Sequence, residues 1–310
     1  MHEFKRILVA TDTRLEEHPI VDEAGEIALL SGATLKIVDG VKDFSWTVRL
    51  TMNDHEHVRE LIIREKEAEL EALAEPLRSR GLQVETKVLN GKTSVEIIRE
   101  VMQADHDLVM RVAKGQDSRA HGYFGSTGTR LLRECPCAVW LVSPATTPKF
   151  THVLACIDTS SGEELDARLN RRVYELAEAI SKYHGGRFSV VHAWSIWNEQ
   201  MLKGRMGEEL FEQVEHNNEK QVAQMLDDFL KQYQTDSTSD HVHLLKGEPA
   251  EVIAKLTWED DVDLVVMGTV ARSGITGMVM GNSAEKILNR IQCSVLALKP
   301  EGFISPVKVD

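Results

Sequence analysis

The sequence predicts an α/β fold made of two tandem doubly wound parallel-sheet, Rossmann-like domains, and two observations lead to this prediction. The chain repeats itself, because FKRILVATDT near the start returns as FTHVLACIDT after residue 149, which pairs Asp12 with Asp158. Within each repeat, short apolar segments alternate with segments of helical period. That alternation is typical of parallel strands covered by helices on both faces.

The repeat extends to the end of each half. GKTSVEIIREVMQADHDLVM returns as GEPAEVIAKLTWEDDVDLVV, and CPCAVWLV returns as IQCSVLAL, both at an offset of 156 residues against 146 at the start. The second copy therefore carries ten extra residues in its middle. We expect domain 1 at residues 1–145 and domain 2 at residues 149–310, joined by the linker PATTP.

In the first half, the predicted strands are, in order, RILVATD, TLKIVDG, VETKVLNG, DLVMRVA and AVWLVS. Between the second and third of them, residues 54–80 form a long charged segment with an apolar stripe, which predicts a helix. Pro76 is expected to kink or end this helix, because proline lacks the backbone N–H that a helix interior requires.

In the second half, the predicted strands are VLACID, RFSVVHAW, HVHLLKG, DLVVMGT and SVLALK. A helix is predicted between the first two strands, where apolar residues recur at steps of three and four: Leu165, Leu169, Val173, Leu176 and Ile180. Residues 208–233 repeat the long charged helix of the first half.

Composition excludes several classes of protein. The net charge of −13 repels nucleic acid, and no apolar run approaches the roughly 20 residues of a membrane span. The N-terminal MHEFKRILVATD lacks the features of a signal peptide, so we expect a cytoplasmic protein. The four cysteines fit reduced thiols better than a disulfide framework, and packing is the favoured role of the Cys135-Pro136-Cys137 pair over a redox or metal role.

The segment MGTVARSGITGMVMGNSAEKIL, residues 267–288, leaves a predicted strand through a glycine-containing loop and enters a predicted helix near Asn282. Ligands of doubly wound sheets bind beyond the carboxyl ends of the strands, and free N–H groups at a helix start suit a phosphate. Asn282 followed by Glu285 also matches a capping box, which needs no ligand. The residues alone leave both interpretations open.

This loop, with the opening VLACIDTSS and the closing CSVLALK, resembles the universal stress protein family, and the resemblance covers nearly the whole chain as two tandem domains. Nucleotide-binding members of that family carry glycine, two residues, glycine, nine residues, and then glycine followed by serine or threonine. Each half departs from this pattern. Domain 2 has Ala271 for the second glycine and Asn282 for the hydroxyl residue, and domain 1 has Val112 for the first glycine.

The resemblance implies that ATP or a related adenine nucleotide, with or without Mg²⁺, binds mainly in domain 2 as a regulatory ligand. Asp158 would face the adenine, the backbone at His192 and Ala193 would edge the base, and the remaining residues would line ribose and phosphates: Gly268, Ala271, Arg272, Gly281, Asn282 and Ser283. The matching positions of domain 1 are Asp12, Gly115, Gly125 and Ser126. We expect that site to be degenerate, because the branched side chain of Val112 stands where the strand end should meet a flat ligand.

Two other interpretations stay open. The ten extra residues fall in an aromatic and thioether segment that could line an apolar cavity for an acyl or other amphiphilic ligand, or simply pack: Trp194, Trp197, Met201, Met206 and Phe211. The chain could also be a ligand-free interaction module. Enzyme activity beyond slow ATP hydrolysis is not expected, because no nucleophile elbow or Walker-type loop is present.

The metal and partner predictions are limited. His241 and His243 alternate on one predicted strand, but no third metal ligand is identifiable, so no metal site is expected. The family resemblance implies an internal pseudo-dimer in which AVWLVS and SVLALK supply the pairing strands. A homodimer of whole chains remains open, and the sequence identifies no protein partner.

Overall fold

The computed structural model describes residues 3–52, 54–113, 123–144, 149–269 and 280–309. The chain divides into two compact units. Unit 1 comprises Met1–Lys149, Ser294–Ala297 and Phe303–Asp310, and unit 2 comprises Phe150–Cys293 and Leu298–Gly302. Gly115, Ala271 and Arg272, which the sequence analysis named as site residues, lie outside the described residues.

Unit 1 contains five parallel strands in the order β3-β2-β1-β4-β5. Their bounds are β1 (Arg6–Ala10), β2 (Thr34–Val41), β3 (Val84–Asn90), β4 (Leu108–Val112) and β5 (Ala138–Val142). The helices are α1 (Pro19–Ser31), α2 (Trp46–Thr51), α3 (His55–Ser79), α4 (Thr93–Ala104) and α5 (Gly125–Glu134). Because the winding reverses after β3, the carboxyl ends of β1 and β4 flank the topological switch point.

Helix α3 does not end at Pro76, contrary to one of the two outcomes expected from the sequence. The helix continues to Ser79, so Pro76 lies in its last turn. A proline there removes one hydrogen bond close to the helix end, where the ladder is about to stop in any case. The chain then turns through Gly81, which has a φ of 90°.

Unit 2 repeats this arrangement with four parallel strands in the order β9-β6-β7-β8. The strands of the second half are β6 (His152–Cys156), β7 (Arg187–Trp194), β8 (Val242–Lys246), β9 (Leu264–Gly268) and β10 (Ser294–Leu298). The helices are α6 (Glu164–His184), α7 (Glu199–Met206), α8 (Glu208–Leu230), α9 (Pro249–Glu259) and α10 (Asn282–Leu288). The two-domain α/β prediction is thereby confirmed.

Strand β10 places the residues Ser294–Ala297 in unit 1, where they pair antiparallel with β5. Val295 lies opposite Leu141, and Ala297 lies opposite Val139. The Oγ of Ser294 accepts a hydrogen bond from the backbone N–H of Ser143 at 3.0 Å. The predicted pairing of AVWLVS with SVLALK is therefore present.

The strands are apolar because helices cover both of their faces. All five residues of β5 and of β10 are buried, and Trp140 in the middle of β5 is fully buried. A continuous apolar strand of this kind is typical of a parallel sheet in an α/β protein. None of the helices in the described ranges has the length and apolar character needed to cross a bilayer.

Candidate functional site

The carboxyl ends of β9, β6 and β7 meet at one edge of unit 2. Cys156 of β6 lies beside Met267 of β9 on one side and beside Val191 of β7 on the other. The residues that follow these positions therefore share the edge. Among the predicted site residues, this register brings together Asp158, His192, Ala193 and Gly268.

The side chain of His192 connects two strands at this edge. It is buried, and its Nδ1 lies 3.1 Å from the backbone oxygen of Ile157. Burial lowers the pKa of His192, because desolvation disfavours the charged imidazolium, whereas the contact with Ile157 raises it by less. The ring thus ties β7 to the end of β6.

Asp158 follows β6 and is held in a compact turn. Its Oδ1 accepts hydrogen bonds from the backbone N–H and the Oγ of Ser160, at 3.1 and 2.6 Å. Its backbone N–H and oxygen exchange two hydrogen bonds with the side-chain amide of Asn170, at 3.1 and 2.8 Å. This amide anchors the loop after β6 to helix α6.

Ser160 and Ser161 do not cap α6. The N-cap residue is Glu163, so both serines lie before the helix begins. Ser161 Oγ accepts from the backbone N–H of Glu163 at 3.2 Å, and Ser160 bonds to Asp158 instead. Asp158 and Ser160 form a three-residue turn, and helix α6 begins after this turn.

A cavity of about 300 Å³ opens beside Asp158, between the start of α6 and the end of α8. Its walls include the acidic side chains of Glu163, Asp166 and Asp228 and the apolar side chains of Met225 and Phe229. The predicted site residues on β7, β9 and α10 do not line it. Asp158 therefore borders a space next to α6 and α8 that it shares with none of the predicted site residues on β7, β9 and α10.

Thr269 and Gly281, on either side of residues 270–279, are hydrogen-bonded to each other in unit 2. The backbone N–H of Gly281 donates to the oxygen of Thr269 at 3.0 Å, and the N–H of Thr269 donates to Leu298 at 3.2 Å. Lys299 Nζ donates to Thr269 Oγ1 at 2.6 Å. Thr269 is fully buried, so these bonds hold Thr269 and Gly281 beside β9.

Gly268 has a packing reason to be glycine. A Cβ at this position would lie 2.7 Å from Cδ2 of Leu169 on α6. The residue lets α6 approach the end of β9 closely, whether or not a ligand also approaches it. This packing explanation did not follow from the sequence pattern.

Helix α10 begins at Asn282, as predicted, but the expected capping box does not form. The N-cap residue is Gly281, one position earlier, and no side chain caps the helix. The backbone N–H of Glu285 bonds to the oxygen of Gly281 at 2.9 Å. Asn282 and Ser283 are therefore the first two helical residues, and both are exposed.

In unit 1, Asp12 corresponds to Asp158 but makes an ion pair. Arg14 donates to it through Nε at 2.8 Å and through a terminal nitrogen at 2.5 Å. This hydrogen bonding lowers the pKa of Asp12 to about 2, against a smaller opposing effect of burial. Gly125 begins α5 with a φ of 67°, and Ser126 beside it is exposed.

A buried charged network at the end of β2 is the main feature that sequence reasoning missed. Asp39 occupies the position that matches His192, and its Oδ2 accepts from the backbone N–H and Oγ1 of Thr13, each at 2.9 Å. Lys66 of α3 pairs with the same carboxylate and reaches Thr13 Oγ1 at 2.9 Å. The sequence did contain one sign of this network, namely an aspartate within the apolar strand TLKIVDGV.

Arg111 adds a further charge at this edge, at the position that matches Met267. It lies in β4 beside Ala10 of β1 and is half-buried. Burial lowers the pKa of Arg111, while the carboxylates of Asp39 and Asp12 oppose that shift. Charged side chains thus occupy the strand ends of unit 1 where unit 2 has His192 and Met267.

The cysteine pair and the histidines of the predicted strand HVHLLKG were the other candidates. The Sγ atoms of Cys135 and Cys137 lie 3.5 Å apart, and all four cysteines are free thiols. His243 Nε2 lies 3.8 Å from Asp260, and the described residues contain no cluster of three or more groups suited to a metal ion.

The side chains of the aromatic and thioether segment lie in different environments. Trp194 and Phe211 are buried, whereas 78% of the Trp197 surface is exposed. Lys203 and Lys246 lie over the ring of Phe211, with their Nζ atoms 4.8 and 5.8 Å from its centre. Met201 and Met206 are half-buried on α7.

The family match and the individual relatives of this chain point to the same family. The profile of the universal stress protein family matches residues 3–143 and again residues 149–299. Universal stress protein E of Escherichia coli (strain K12) is 26% identical over 314 residues, covering 99% of this chain and 98% of that protein. A universal stress protein E homolog of Haemophilus influenzae is 21% identical and covers 96% of this chain and 94% of its own.

Two solved structures share the fold. A Pseudomonas aeruginosa PAO1 protein described as functionally unknown superposes with a TM-score of 0.73 at 21% identity, covering 97% of this chain and 94% of its own. A universal stress protein from Archaeoglobus fulgidus DSM 4304 gives a TM-score of 0.58 at 16% identity, covering 94% and 98%. At these identities the likeness concerns the fold alone.

Proposed function

This chain belongs to the universal stress protein family, and from that membership we propose that it is a cytoplasmic stress-response protein regulated by an adenine nucleotide. The ligand is ATP or a related nucleotide, with or without Mg²⁺, bound mainly in unit 2. The proposed site comprises Asp158, His192, Ala193, Gly268, Ala271, Arg272, Gly281, Asn282 and Ser283.

The observation that supports the proposal is the convergence of these residues at one strand edge. The register of β9, β6 and β7 aligns Gly268, Asp158 and His192, and the bond from Gly281 to Thr269 brings the start of α10 to the same edge. Ligands of doubly wound sheets bind at this edge. Exposed Asn282 and Ser283 carry polar groups suited to ribose or phosphate oxygens.

The charges at the strand ends favour unit 2 over unit 1. In unit 1 the carboxylate of Asp12 is already engaged by Arg14, and the pair of Asp39 with Lys66 fills the place that matches His192. A nucleobase entering there would have to separate buried or hydrogen-bonded ions, which costs free energy. Unit 2 has an uncharged edge at these positions, apart from Asp158.

Regulation fits the site better than catalysis. Phosphoryl transfer requires cations and a base arranged around the phosphates. Apart from Asp158, the described members of the proposed site contribute glycines, the amide of Asn282 and the hydroxyl of Ser283, and Lys299 beside them is already bonded to Thr269. The proposal is therefore that the nucleotide shifts the protein between states that differ in affinity for a partner, with at most slow hydrolysis.

Native mass spectrometry of the purified chain, with and without added ATP and Mg²⁺, tests the proposal. One adenine nucleotide per chain would support a working unit 2 with a degenerate unit 1. A bare chain in excess ATP would overturn the proposal and favour a ligand-free interaction module. A copurified amphiphile that disappears in a Trp194→Ala, Trp197→Ala variant would favour the apolar-ligand alternative.

A further inference from the structure

Three histidines and an arginine gather at the amino-terminal end of the unit 2 strands, opposite the edge proposed to bind the nucleotide. His152 begins β6, Arg187 begins β7 beside it, and His243 lies near the start of β8, with His241 two residues before it. Asp260, the C-cap residue of α9, lies at the same place. The function proposed above uses none of these residues.

Contacts within this cluster connect three strands to the end of α9. His152 is buried, with its Nε2 2.9 Å from the Oγ of Ser189 and its Nδ1 2.9 Å from the backbone oxygen of Asp260. Arg187 donates to the same oxygen at 2.9 Å and lies 3.1 Å from Nδ1 of His152. The Nε2 of His243 lies 3.8 Å from Oδ2 of Asp260. Asp260 is therefore the point at which β6, β7 and β8 meet α9.

The groups that face His243 are mostly basic. His152 on β6, Arg187 on β7 and His241 before β8 are bases, and Asp260 after α9 is the acid. Burial lowers the pKa of His243 from its ordinary value of 6.5, and the carboxylate of Asp260 opposes that shift. The three neighbouring bases lower this pKa further. The position therefore favours a neutral imidazole.

Asp263, the carboxylate that follows in the loop after α9, is bonded to the start of β6. Its Oδ2 accepts from the backbone N–H groups of Thr151 and His152, at 2.7 and 3.0 Å, and from Oγ1 of Thr151 at 2.5 Å. Among the described residues, Asp260 is the carboxylate that comes within ion-pair distance of a histidine in this cluster. Protonation of several imidazoles would therefore leave an excess of positive charge.

The matching face of unit 1 carries permanent charges in pairs. The buried carboxylate of Glu100 on α4 pairs with Lys36 of β2 at 2.9 Å and with Lys87 of β3 at 2.5 Å. The offset of 153 residues that matches Asp39 to His192, and the later offset of 156, give the unit 2 counterparts: Ser189 for Lys36, His243 for Lys87 and Leu256 for Glu100. Unit 2 thus has a titrating imidazole in place of a lysine and lacks the buried carboxylate that balances it.

Strand β8 is the element on which a change of charge at His243 would act. It is the last strand in the order β9-β6-β7-β8, so within the described sheet it pairs with β7 alone. A strand held by one neighbour opens at a lower cost in free energy than a central strand. The histidine cluster therefore lies on an element that is able to open locally.

We propose that this histidine cluster, His152, His241 and His243 with Arg187 and Asp260, is an acid-sensitive contact that releases β8 from β7 as pH falls. Protonated imidazoles would add positive charge beside a guanidinium, and like charges held close together repel. Because the folded-state pKa of His243 lies below 6.5, the neutral ring stabilises the paired strand above that pH, and this contribution is lost as pH falls through the folded-state value. The proposal does not depend on the nucleotide site.

Amide hydrogen exchange of the full chain at about pH 7.5 and about pH 5.5 tests the proposal, because protection factors report the local opening equilibrium once the intrinsic effect of pH is removed. Protection of the β8 amides, Val242–Lys246, should fall several-fold at the lower pH. Protection of β3 in unit 1, Val84–Asn90, should not change, since its lysine keeps its charge at both pH values. Unchanged protection of β8, or an equal fall in β3, would overturn the proposal.

Variants assign the response to the cluster. His243→Gln removes the titrating ring and should abolish most of the fall in β8 protection. Asp260→Asn removes the carboxylate that opposes the positive charge and should deepen the fall. His216→Gln, which replaces an exposed histidine of α8, is the matched control and should respond as the wild type does. A full wild-type response in His243→Gln would overturn the proposal.

An NMR titration of the imidazole protons in the wild-type chain gives a test that needs no variant to fold. The His243 ring should titrate with a midpoint below 6.5. A midpoint at or above 6.5 would overturn the proposal, because protonation would then favour the paired state of β8.

Discussion

The backbone N–H of Gly281 donates to the carbonyl oxygen of Thr269 at 3.0 Å. This bond joins two residues that are twelve positions apart in the sequence. The start of α10 is thereby fixed beside the end of β9 by backbone atoms alone. Substitutions that preserve this bond can change the surface at the strand edge without changing its framework.

Gly281→Val is such a substitution. Gly281 has a φ of −62° and a ψ of 139°, extended backbone that valine adopts readily, and the bond to Thr269 uses only its N–H. The fold should survive, with a stability change within about 0.5 kcal/mol. Nucleotide binding should be lost, because the branched side chain occupies the space that a ribose or phosphate would need.

Titration calorimetry with ATP measures this effect. The control is Gly204→Val on α7, where an added Cβ meets nothing within 4 Å. This control should bind ATP as the wild type does. Wild-type affinity in the Gly281→Val variant would refute the assignment of the site to this edge.

Two other glycines should differ in their tolerance of alanine. At Gly268 the added Cβ would meet the terminal Cδ2 of Leu169 at 2.7 Å, and a leucine can rotate away. At Gly186 it would lie 2.5 Å from the backbone oxygen of Phe150 and 2.8 Å from that of Thr151, which cannot move without shifting β6. Gly268→Ala should cost about 1 kcal/mol of unfolding free energy and Gly186→Ala about 3 kcal/mol.

Urea unfolding monitored by circular dichroism gives both values. Adding Leu169→Val to Gly268→Ala should recover part of the loss, because it shortens the side chain that clashes. A smaller cost for Gly186→Ala than for Gly268→Ala would contradict the packing argument.

Most strands and the longer helices could be predicted from the sequence, because an apolar strand or a periodic apolar stripe is a local pattern. The internal repeat then indicated the order of the elements, because the strands predicted in one half recur in the same order in the other half. Helix α7 was not predicted, and none of its residues is buried, so it has no apolar stripe to detect. The capping box does not form because the pattern needs Asn282 as the N-cap residue, whereas the N-cap residue of α10 is Gly281.

The charged network of unit 1 could not be predicted, because it joins residues from three separate elements. Lys66 is 53 positions from Thr13 and 27 from Asp39, and only the packing of α3 against β2 brings them together. Sequence spacing carries no information about such contacts until the strand order is known.

Lys66→Met should be strongly destabilising. Lys66 and Asp39 are both largely buried, and the substitution would leave the carboxylate with Thr13 and the backbone N–H of Gly40 as donors. Removing one partner of a buried ion pair typically costs about 3–5 kcal/mol. Chemical unfolding of the variant measures this cost.

The matched control is Lys182→Met, which breaks the exposed pair of Lys182 with Glu178 at 2.8 Å. It should change stability by less than about 0.5 kcal/mol, because surface pairs contribute little. The double variant Asp39→Leu, Lys66→Met should be more stable than Lys66→Met alone. Equal effects of Lys66→Met and Lys182→Met would show that the buried pair contributes no more than a surface pair.

The ion pair of Asp12 with Arg14 should give a defined acid dependence. The pKa of Asp12 is lowered from 3.8 to about 2, first by the side-chain hydrogen bond from Arg14. A carboxyl whose pKa is lower in the folded state stabilises that state above its unfolded pKa, and this contribution is lost as pH falls towards the folded value. Because Arg14 is exposed, the contribution should stay below about 1 kcal/mol.

Arg14→Gln should raise the pKa of Asp12 towards its ordinary value of 3.8. Carboxyl-detected NMR titration would follow this shift directly, and the stability difference between wild type and variant should shrink as pH falls from 3.8 to about 2. Arg80→Gln, which breaks the exposed pair with Glu26, should leave the Asp12 titration unchanged. An unchanged Asp12 titration in Arg14→Gln would mean that Arg14 does not hold the carboxylate in solution, and the charge argument against a nucleobase beside Asp12 would lose that support.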